Sequence, residues 1–510
     1  MILKKLLDAI EIIDKKGVID EDHIVEHISN DSREIGEGDI FVAMKGVLAD
    51  GHDYIQKAKE KGAALAVVDH FTDDDIPQIL VKNPRIALAD LACTFYDHPS
   101  KEMKVLGVTA TNGKTSTAYM IRDIFKEAGY EVGVVGTVEV QYKDVSIPSI
   151  LTTPESIHLQ KHLRDMANVG VEVVVMEVSS SAQELYRSRG IDYDIVSFNN
   201  ISVEHLEQHG TFENYFHYKS RLIRHADEKT AVILNIDAPL IEGLIEKTNG
   251  DVFTAGIEKD ASIGIEAIDL STGFAKFNYV VRRAHHSERW SLEPMVLPIQ
   301  LEVAGYHSVL NAMIAITYGL LEGVDGAVIQ KAMQNFSGVE RRFELIYNKE
   351  YMILDDHFAN EKNIAVTLET LCHMEYKDLH LLYAVRGGRG AELNRDNALE
   401  MVKWMHKLPL KTFVATRSEE VVTKKDAVTD AELAAFKEVM ADAGYDVPVV
   451  DDLKSAIDAV WSKVGEEDVF LLAGCQGMDH GAKYVWEALA EESTGDEKSY
   501  WMKKIENRIC

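Results

Sequence analysis

The chain has 510 residues, 46% of them hydrophobic and 27% charged, with a formal net charge of −30. That length suggests about three domains, each able to hold its own core. The acidity disfavours any role that depends on neutralising a nucleic-acid backbone or an anionic membrane, and an anionic small substrate would need a locally basic pocket.

No apolar run reaches the roughly 18 residues of a membrane span. The opening "MILKKLLDAIEIIDKK" is amphipathic and has no signal-peptide cleavage pattern. Cys93, Cys372, Cys475 and Cys510 show no Cys-x-x-Cys spacing. They point to a reducing cytoplasm and away from a zinc ribbon or a disulfide framework.

Residues 1 to about 100 alternate short strands ("DIFVAMKG", "ALAVVDH", "PQILVK") with helical stretches, a small α/β domain ending near "DHPSKEMK". "VLGV" at 105–108 then reads as a buried strand. It is followed by "TNGKTS" and by apolar residues at Ala118, Ile121, Ile124, Phe125 and Ala128, one face of a helix that stops at Gly129. Strand, small-residue loop, Lys-Thr and helix form the architecture a triphosphate needs. Loop N–H groups and the helix N-terminus face the phosphates, Lys114 supplies charge, and the Thr115 hydroxyl can ligate Mg²⁺. Five residues separate Gly107 from Gly113 where a Walker loop has four, so an ordinary strand-to-helix turn stays open on this stretch alone.

"VEVVVMEVSS" lacks period-two alternation, as a strand buried on both faces should, and "YDIVSFNNIS" and "TAVILNID" look alike. Glu177 falls at the carboxyl end of the first of these, where a parallel sheet opens onto its ligand crevice. There it can coordinate Mg²⁺ or serve a helix N-cap network. Residues 199–223 concentrate Asn, His, Glu and Lys between apolar segments. A more polar, β-like excursion follows at about 262–303. From about 339, "YMILDD", "LHLLYAV", "KTFVATR", "VPVVDD" and "DVFLLAG" alternate with helices as a second doubly wound unit.

Four stretches, "GVTATNGKTS", "LTTPES" at 151–156, "MEVSSSAQELYRSRG" at 176–190 and "HGTFENYFHYKSRLI" at 209–223, resemble the central domain of Mur ligases, most of all the MurE type. "DSREIGEGDIFVAMKGVLADGHDYI" at 31–55 resembles that type's N-terminal domain, and "VERRFE" at 339–344 the start of its C-terminal domain. The resemblance implies three α/β domains. Residues 1–102 would form a small domain binding the UDP-peptide acceptor, and 103–338 a central, P-loop ATPase-like parallel sheet binding ATP. Residues 339–510 would form a Rossmann-like domain that binds the incoming amino acid and closes over ATP.

The implied activity is an ADP-forming ligase that activates a carboxylate of a UDP-linked cell-wall peptide as an acyl phosphate and joins an amino acid to it. ATP and Mg²⁺ would be held by Thr111, Asn112, Gly113, Lys114, Thr115 and Ser116, with Asn200, Asn311, Arg342 and Asp355 completing the nucleotide site. Glu177 and His205 match positions that ligate a second Mg²⁺. Lys219 matches a lysine that becomes a carbamate, an anionic oxygen ligand suited to a hard cation. Ser32 and Arg33 match the UDP-facing motif, and Thr152, Thr153, Ser179 and Arg187 the sugar-peptide site. The expected protein is a cytoplasmic monomer whose partners are a UDP-linked peptide and a free amino acid.

Departures from the pattern narrow this. Ala110 stands where the loop usually has Gly, Glu204 where Asp precedes His205, and Ser181 where a His follows the Ser pair. Ser308 stands where an Asn usually precedes Asn311. "ATRSEEVV" at 415–422 lacks the Asp-Asn-Pro-Arg string of diaminopimelate-adding enzymes, so a different amino acid is expected. Arg386, Arg389, Arg395 and Arg417, at the ends of C-terminal strands, are candidates for its carboxylate, with Arg389 and Arg417 foremost; a surface role is as compatible with the pattern. Peptidoglycan and archaeal pseudomurein pathways both fit, as does a Mur-ligase-fold enzyme with an acceptor outside the cell wall. A P-loop ATPase driving a partner is the alternative from another class. It would give Lys219 no task.

Overall fold

The computed structural model describes residues 1–46, 49–204, 206–270, 274–506 and 508, apart from the side chains of Glu207 and Ala304. Its contacts divide the chain into two compact units, Met1–Gly264 with Val281–Pro294 and Ile314–Asp325, and Ile265–Val280 with Met295–Met313 and Gly326–Cys510.

The first unit begins with five strands, β1 (Ile12–Lys16), β2 (Ile28–Ser29), β3 (Ile40–Val42), β4 (Leu65–Val68) and β5 (Gln78–Val81). They lie in the order β1-β5-β4-β3-β2, parallel except for β1. All residues of β3 and β4 are buried, so these strands read as unbroken apolar runs. The helix Pro84–Phe95 packs this sheet onto the helix Ser156–Asn168. Between them Gln160 donates to the Cys93 sulfur at 3.1 Å, and Arg164 donates to the Tyr96 carbonyl at 2.9 Å.

The same unit holds a larger sheet built from β6 (Lys104–Thr109), β7 (Val132–Val135), β8 (Glu139–Tyr142), β9 (Val145–Pro148), β10 (Val173–Glu177), β11 (Ile195–Phe198), β12 (Ala231–Asn235) and β13 (Asp251–Ala255). Their order is β13-β12-β11-β6-β10-β7-β8-β9. The strands from β13 to β7 are parallel, and β8 and β9 extend the edge as an antiparallel hairpin that the apolar pattern did not announce. β6 sits between β10 and β11, with Val108 level with Glu177 and Thr109 with Phe198. That register gathers the loops after three strands at one point. Gly107 permits it locally, because a Cβ there would come within 2.8 Å of the Tyr193 ring.

The second unit contains a six-stranded sheet in the order 344–348, 352–356, 469–474, 379–384, 410–416, 449–450. Only the first strand is antiparallel to its neighbour. Five of these strands coincide with the apolar runs expected from 339 onward. The polar excursion is also β-structure, including Phe274–Val281 and Met295–Ala304.

Candidate active site

The loop after β6 enters the helix Lys114–Glu127 through Gly113, whose φ of 80° is left-handed and therefore costly for any other residue. Ala110 takes no such conformation, so its departure from glycine puts no strain on the loop. Asn200 locks the loop from the β11 side. Its side chain accepts from the Asn112 N–H at 3.0 Å and donates to the Asn112 carbonyl at 2.8 Å, while its own carbonyl accepts from the Thr111 N–H at 3.0 Å. The geometry makes Asn200 a clamp on loop backbone.

Two lysines meet on one carbonyl. Lys114 Nζ donates to the Ala110 oxygen at 2.9 Å and to the Thr111 oxygen at 3.0 Å, and Lys219 Nζ donates to the same Ala110 oxygen at 2.8 Å. Lys219 closes the helix Phe212–Lys219 and is only 2% exposed. Its Nζ lies 4.9 Å from the centre of the Tyr215 ring. Burial, reinforced by the charge of Lys114, holds its ammonium well below the ordinary lysine range. Such burial favours the neutral amine over the ammonium, and the neutral form is the nucleophilic one.

Glu177 is fully buried. Its carboxylate accepts from Thr115 Oγ1 at 3.0 Å, from the Thr137 N–H at 2.8 Å and from Thr137 Oγ1 at 2.9 Å. Gly136 gives it room, since a Cβ there would stand 2.4 Å from Oε1. Hydroxyl and carboxylate oxygens this close form a hard donor set that fits Mg²⁺. Thr115 and Glu177 would hold that ion. His205 lies outside the described residues.

Further expected residues are placed with definite partners. Thr153 donates to the Glu177 carbonyl at 2.8 Å and accepts from the Ser179 N–H at 3.2 Å. Thr152 and Thr137 share a hydroxyl contact at 3.1 Å. The Ser179 hydroxyl caps a short helix by accepting from the Ala182 N–H. Arg187 pairs with Glu155 at 2.8 Å. In the first sheet Ser32 is buried, and Arg33 chelates Asp31 at the surface. Ser116 is half-buried on the first turn after the loop.

Within the second unit, Asn311 is buried on the helix Tyr306–Leu321. Arg342 is exposed, whereas Asp355 is wholly enclosed. One Asp355 oxygen accepts from Arg341 Nε at 3.2 Å and the other from Arg508 at 2.9 Å. Burial pushes the Asp355 carboxyl up, and the two guanidinium groups pull against it. In this arrangement both its oxygens are engaged by arginines. His357 is kept well below its usual value by burial and by the charges of Arg342, Arg341 and Arg386. Arg389 reaches Asp426 at 3.4 Å, Arg417 reaches Asp430 at 2.7 Å, and Arg395 reaches Glu438 at 2.7 Å. The Arg389 and Gly390 N–H groups both donate to Glu432.

Sequence reasoning missed Thr137, Tyr215, Arg341 and Arg508. Tyr215 had a signal, because it lies one helical turn before Lys219 and so shares its face. Thr137 and Arg508 had none, since each reaches its partner across a long sequence separation.

Residues 24–96 match the catalytic domain of the Mur ligase family, 108–319 the Mur ligase middle domain, and 341–476 the Mur ligase glutamate ligase domain. The UDP-N-acetylmuramoyl-L-alanyl-D-glutamate–2,6-diaminopimelate ligase of Bacillus licheniformis is 34% identical over 72% of this chain and 75% of its own length. The enzyme of the same name from Clostridium tetani is 31% identical over 93% and 94%. Among solved structures, a ligase of that name has a TM-score of 0.66 at 20% identity, covering 93% of each chain. A MurF ligase from Thermotoga maritima in complex with ADP has a TM-score of 0.60 at 19% identity, covering 90% of this chain and 96% of its own. Three matched domains in order, and an identity above 30% across most of the length, establish that the chain belongs to the Mur ligase family.

Proposed function

We propose that this protein is an ATP-dependent, ADP-forming ligase that joins a free amino acid to a UDP-linked cell-wall precursor peptide. The observation that carries the reading is the convergence of Lys114 and Lys219 on the Ala110 carbonyl beside the Thr115–Glu177 pair. Phosphoryl transfer to a carboxylate brings two anions together, so it is accelerated by positioning and by positive charge more than by a protein nucleophile. Bound Mg²⁺ supplies further positive charge to the phosphates. Lys114 swings from its own loop onto the phosphates, Thr115 and Glu177 orient oxygen ligands, and the Asn200 clamp keeps the loop N–H groups convergent.

Lys219 is the residue that an ATPase alone would not need. The burial that disfavours its ammonium favours attack of the amine on the carbon of CO₂ with loss of a proton, giving a carbamate, an anionic oxygen ligand that would join Glu177 in holding the metal. His205 belongs to this set by its family position. The ADP-bound relative supports adenine nucleotide use, and the named relatives support a UDP-N-acetylmuramoyl-L-alanyl-D-glutamate acceptor. In this reading residues 1–102 hold the acceptor, 103–338 hold ATP, and 339–510 hold the amino acid. Asn311, Arg342 and Asp355 belong to the nucleotide side, and Arg389 and Arg417 to the amino acid.

The amino acid itself is proposed to differ from diaminopimelate. The stretch 415–422 lacks Asp-Asn-Pro-Arg. The test is phosphate release from ATP and Mg²⁺ with UDP-linked peptides from both cell-wall pathways, crossed against single amino acids. Release that needs one acceptor and one amino acid, with the matching mass gain, supports the ligase. Release that needs neither demotes the protein to an ATPase, and ligation of diaminopimelate assigns it the amino acid its relatives' names carry.

A further inference from the structure

A second cluster of metal-ligating side chains lies in the first sheet, far in sequence from the phosphate loop. His52 sits in the turn Gly51–Tyr54 that follows β3, and Asp69 and His70 directly follow β4. β3 and β4 are parallel neighbours, with Val42 level with Val67, so their carboxyl ends bring these two segments together. The His52 Nε2, Asp69 carboxylate and His70 ring nitrogen lie within 4.8 Å of one another. His52 Nε2 is 3.3 Å from Asp69 Oδ1, and His70 Nδ1 is 2.6 Å from the same oxygen. The two imidazole rings stack with centroids 4.1 Å apart.

Asp50 completes the arrangement from behind. Its Oδ1 accepts from His52 Nδ1 at 2.6 Å and from the His52 backbone N–H at 3.0 Å. A carboxylate holding Nδ1–H fixes the tautomer and leaves the Nε2 lone pair facing Asp69, whose backbone N–H approaches it at 3.5 Å. His52 is 7% exposed, so this buried imidazole meets a solvent-facing pair. Bonds of about 2.0–2.1 Å to a tetrahedral ion put donor atoms about 3.3 Å apart, the spacing already present between His52 Nε2 and Asp69. Two neutral imidazoles with two carboxylates carry a charge that one divalent cation cancels. Nitrogen-rich donors of this kind favour ions of the zinc class over Mg²⁺.

We propose that His52, Asp69 and His70 form a binding site for a divalent cation of the zinc class, with Asp50 as the carboxylate that positions His52 and with solvent at the fourth position. Such an ion ties the segment after β3 to the end of β4, the two elements that frame this side of the first sheet. The site is independent of the ligase reading and of the phosphate loop.

The test uses the full-length protein, stripped with a chelator and titrated with Zn²⁺ by calorimetry and with Co²⁺ by its visible absorption. Wild type should bind one more equivalent of Zn²⁺ than either His52→Ala or His70→Ala, with a tetrahedral Co²⁺ band that both variants lose. Asp50→Asn should keep the stoichiometry and weaken the affinity by about 10- to 100-fold. His70 is exposed, so its replacement leaves the fold intact and keeps the comparison valid if His52→Ala misfolds. Equal stoichiometry and affinity in wild type and His70→Ala would overturn the proposal.

Discussion

Gly136→Ala probes the role of the buried carboxylate without replacing the residue that carries it. The new Cβ would stand 2.4 Å from Glu177 Oε1, 3.2 Å from its Cδ and 3.4 Å from its Cγ. Ordinary contact requires the oxygen to retreat by about 1 Å, into a wall that offers no free space because Glu177 is 0% exposed. That oxygen is held by the Thr137 N–H at 2.8 Å, and its partner oxygen by Thr115 and Thr137 hydroxyls. Retreat breaks at least one of these bonds, at about 1–3 kcal/mol for a buried charged acceptor. A misplacement of about 1 Å in a catalytic constellation costs about 100-fold in rate. Acceptor-dependent phosphate release, measured across Mg²⁺ concentrations, should show that loss in kcat together with a raised Mg²⁺ requirement. Thermal unfolding should fall by only a few degrees. A variant with full kcat at an unchanged Mg²⁺ requirement would refute the placement of Glu177 at the metal site.

Lys219→Met should abolish ligation while leaving the fold as stable or more so. A lysine depressed in the folded state costs stability as pH falls below its unfolded value of about 10.5, because the unfolded chain takes up a proton that the folded chain refuses. Denaturant midpoints from pH 10 to 7 should therefore fall less steeply in the variant, and a marked destabilisation would contradict the buried-amine account. Asn200→Asp places a carboxylate against the Asn112 carbonyl that its amide now serves, so the KM for ATP should rise about tenfold; an unchanged KM would deny the clamp. Glu432 is the N3 residue of a capping box and accepts from the Thr429, Arg389 and Gly390 N–H groups. Burial alone would raise its carboxyl, but these bonds push it down to about 2. Its contribution is present in full above about pH 4.5 and fades as pH falls toward 2. Glu432→Gln should thus lose about 1–2 kcal/mol near neutral pH and show a shallower acid transition, as read by circular dichroism.

Most of the strands were legible in the residues alone. Runs such as "VEVVVMEVSS" and "DVFLLAG" are apolar on both faces because parallel strands are covered on both sides, so unbroken apolar runs located them. The order of Gly113, Lys114 and Thr115 raised the phosphate-loop reading beside that of an ordinary turn, and the wider resemblance favoured the former and supplied Glu177 and Lys219. The edge hairpin of β8 and β9 escaped, since β9 is exposed throughout and carries no burial pattern. Which of these residues meet was set by the folded sheets. The register of β6 between β10 and β11 put Lys219 on a carbonyl 109 residues away and Glu177 on a hydroxyl 62 residues away. The same logic joined His52 to Asp69 across neighbouring strand ends, and Asp355 to Arg508 across 153 residues. Local sequence encodes backbone preference and burial over a few residues. The partners of a buried charge are set by which strand ends a sheet brings side by side.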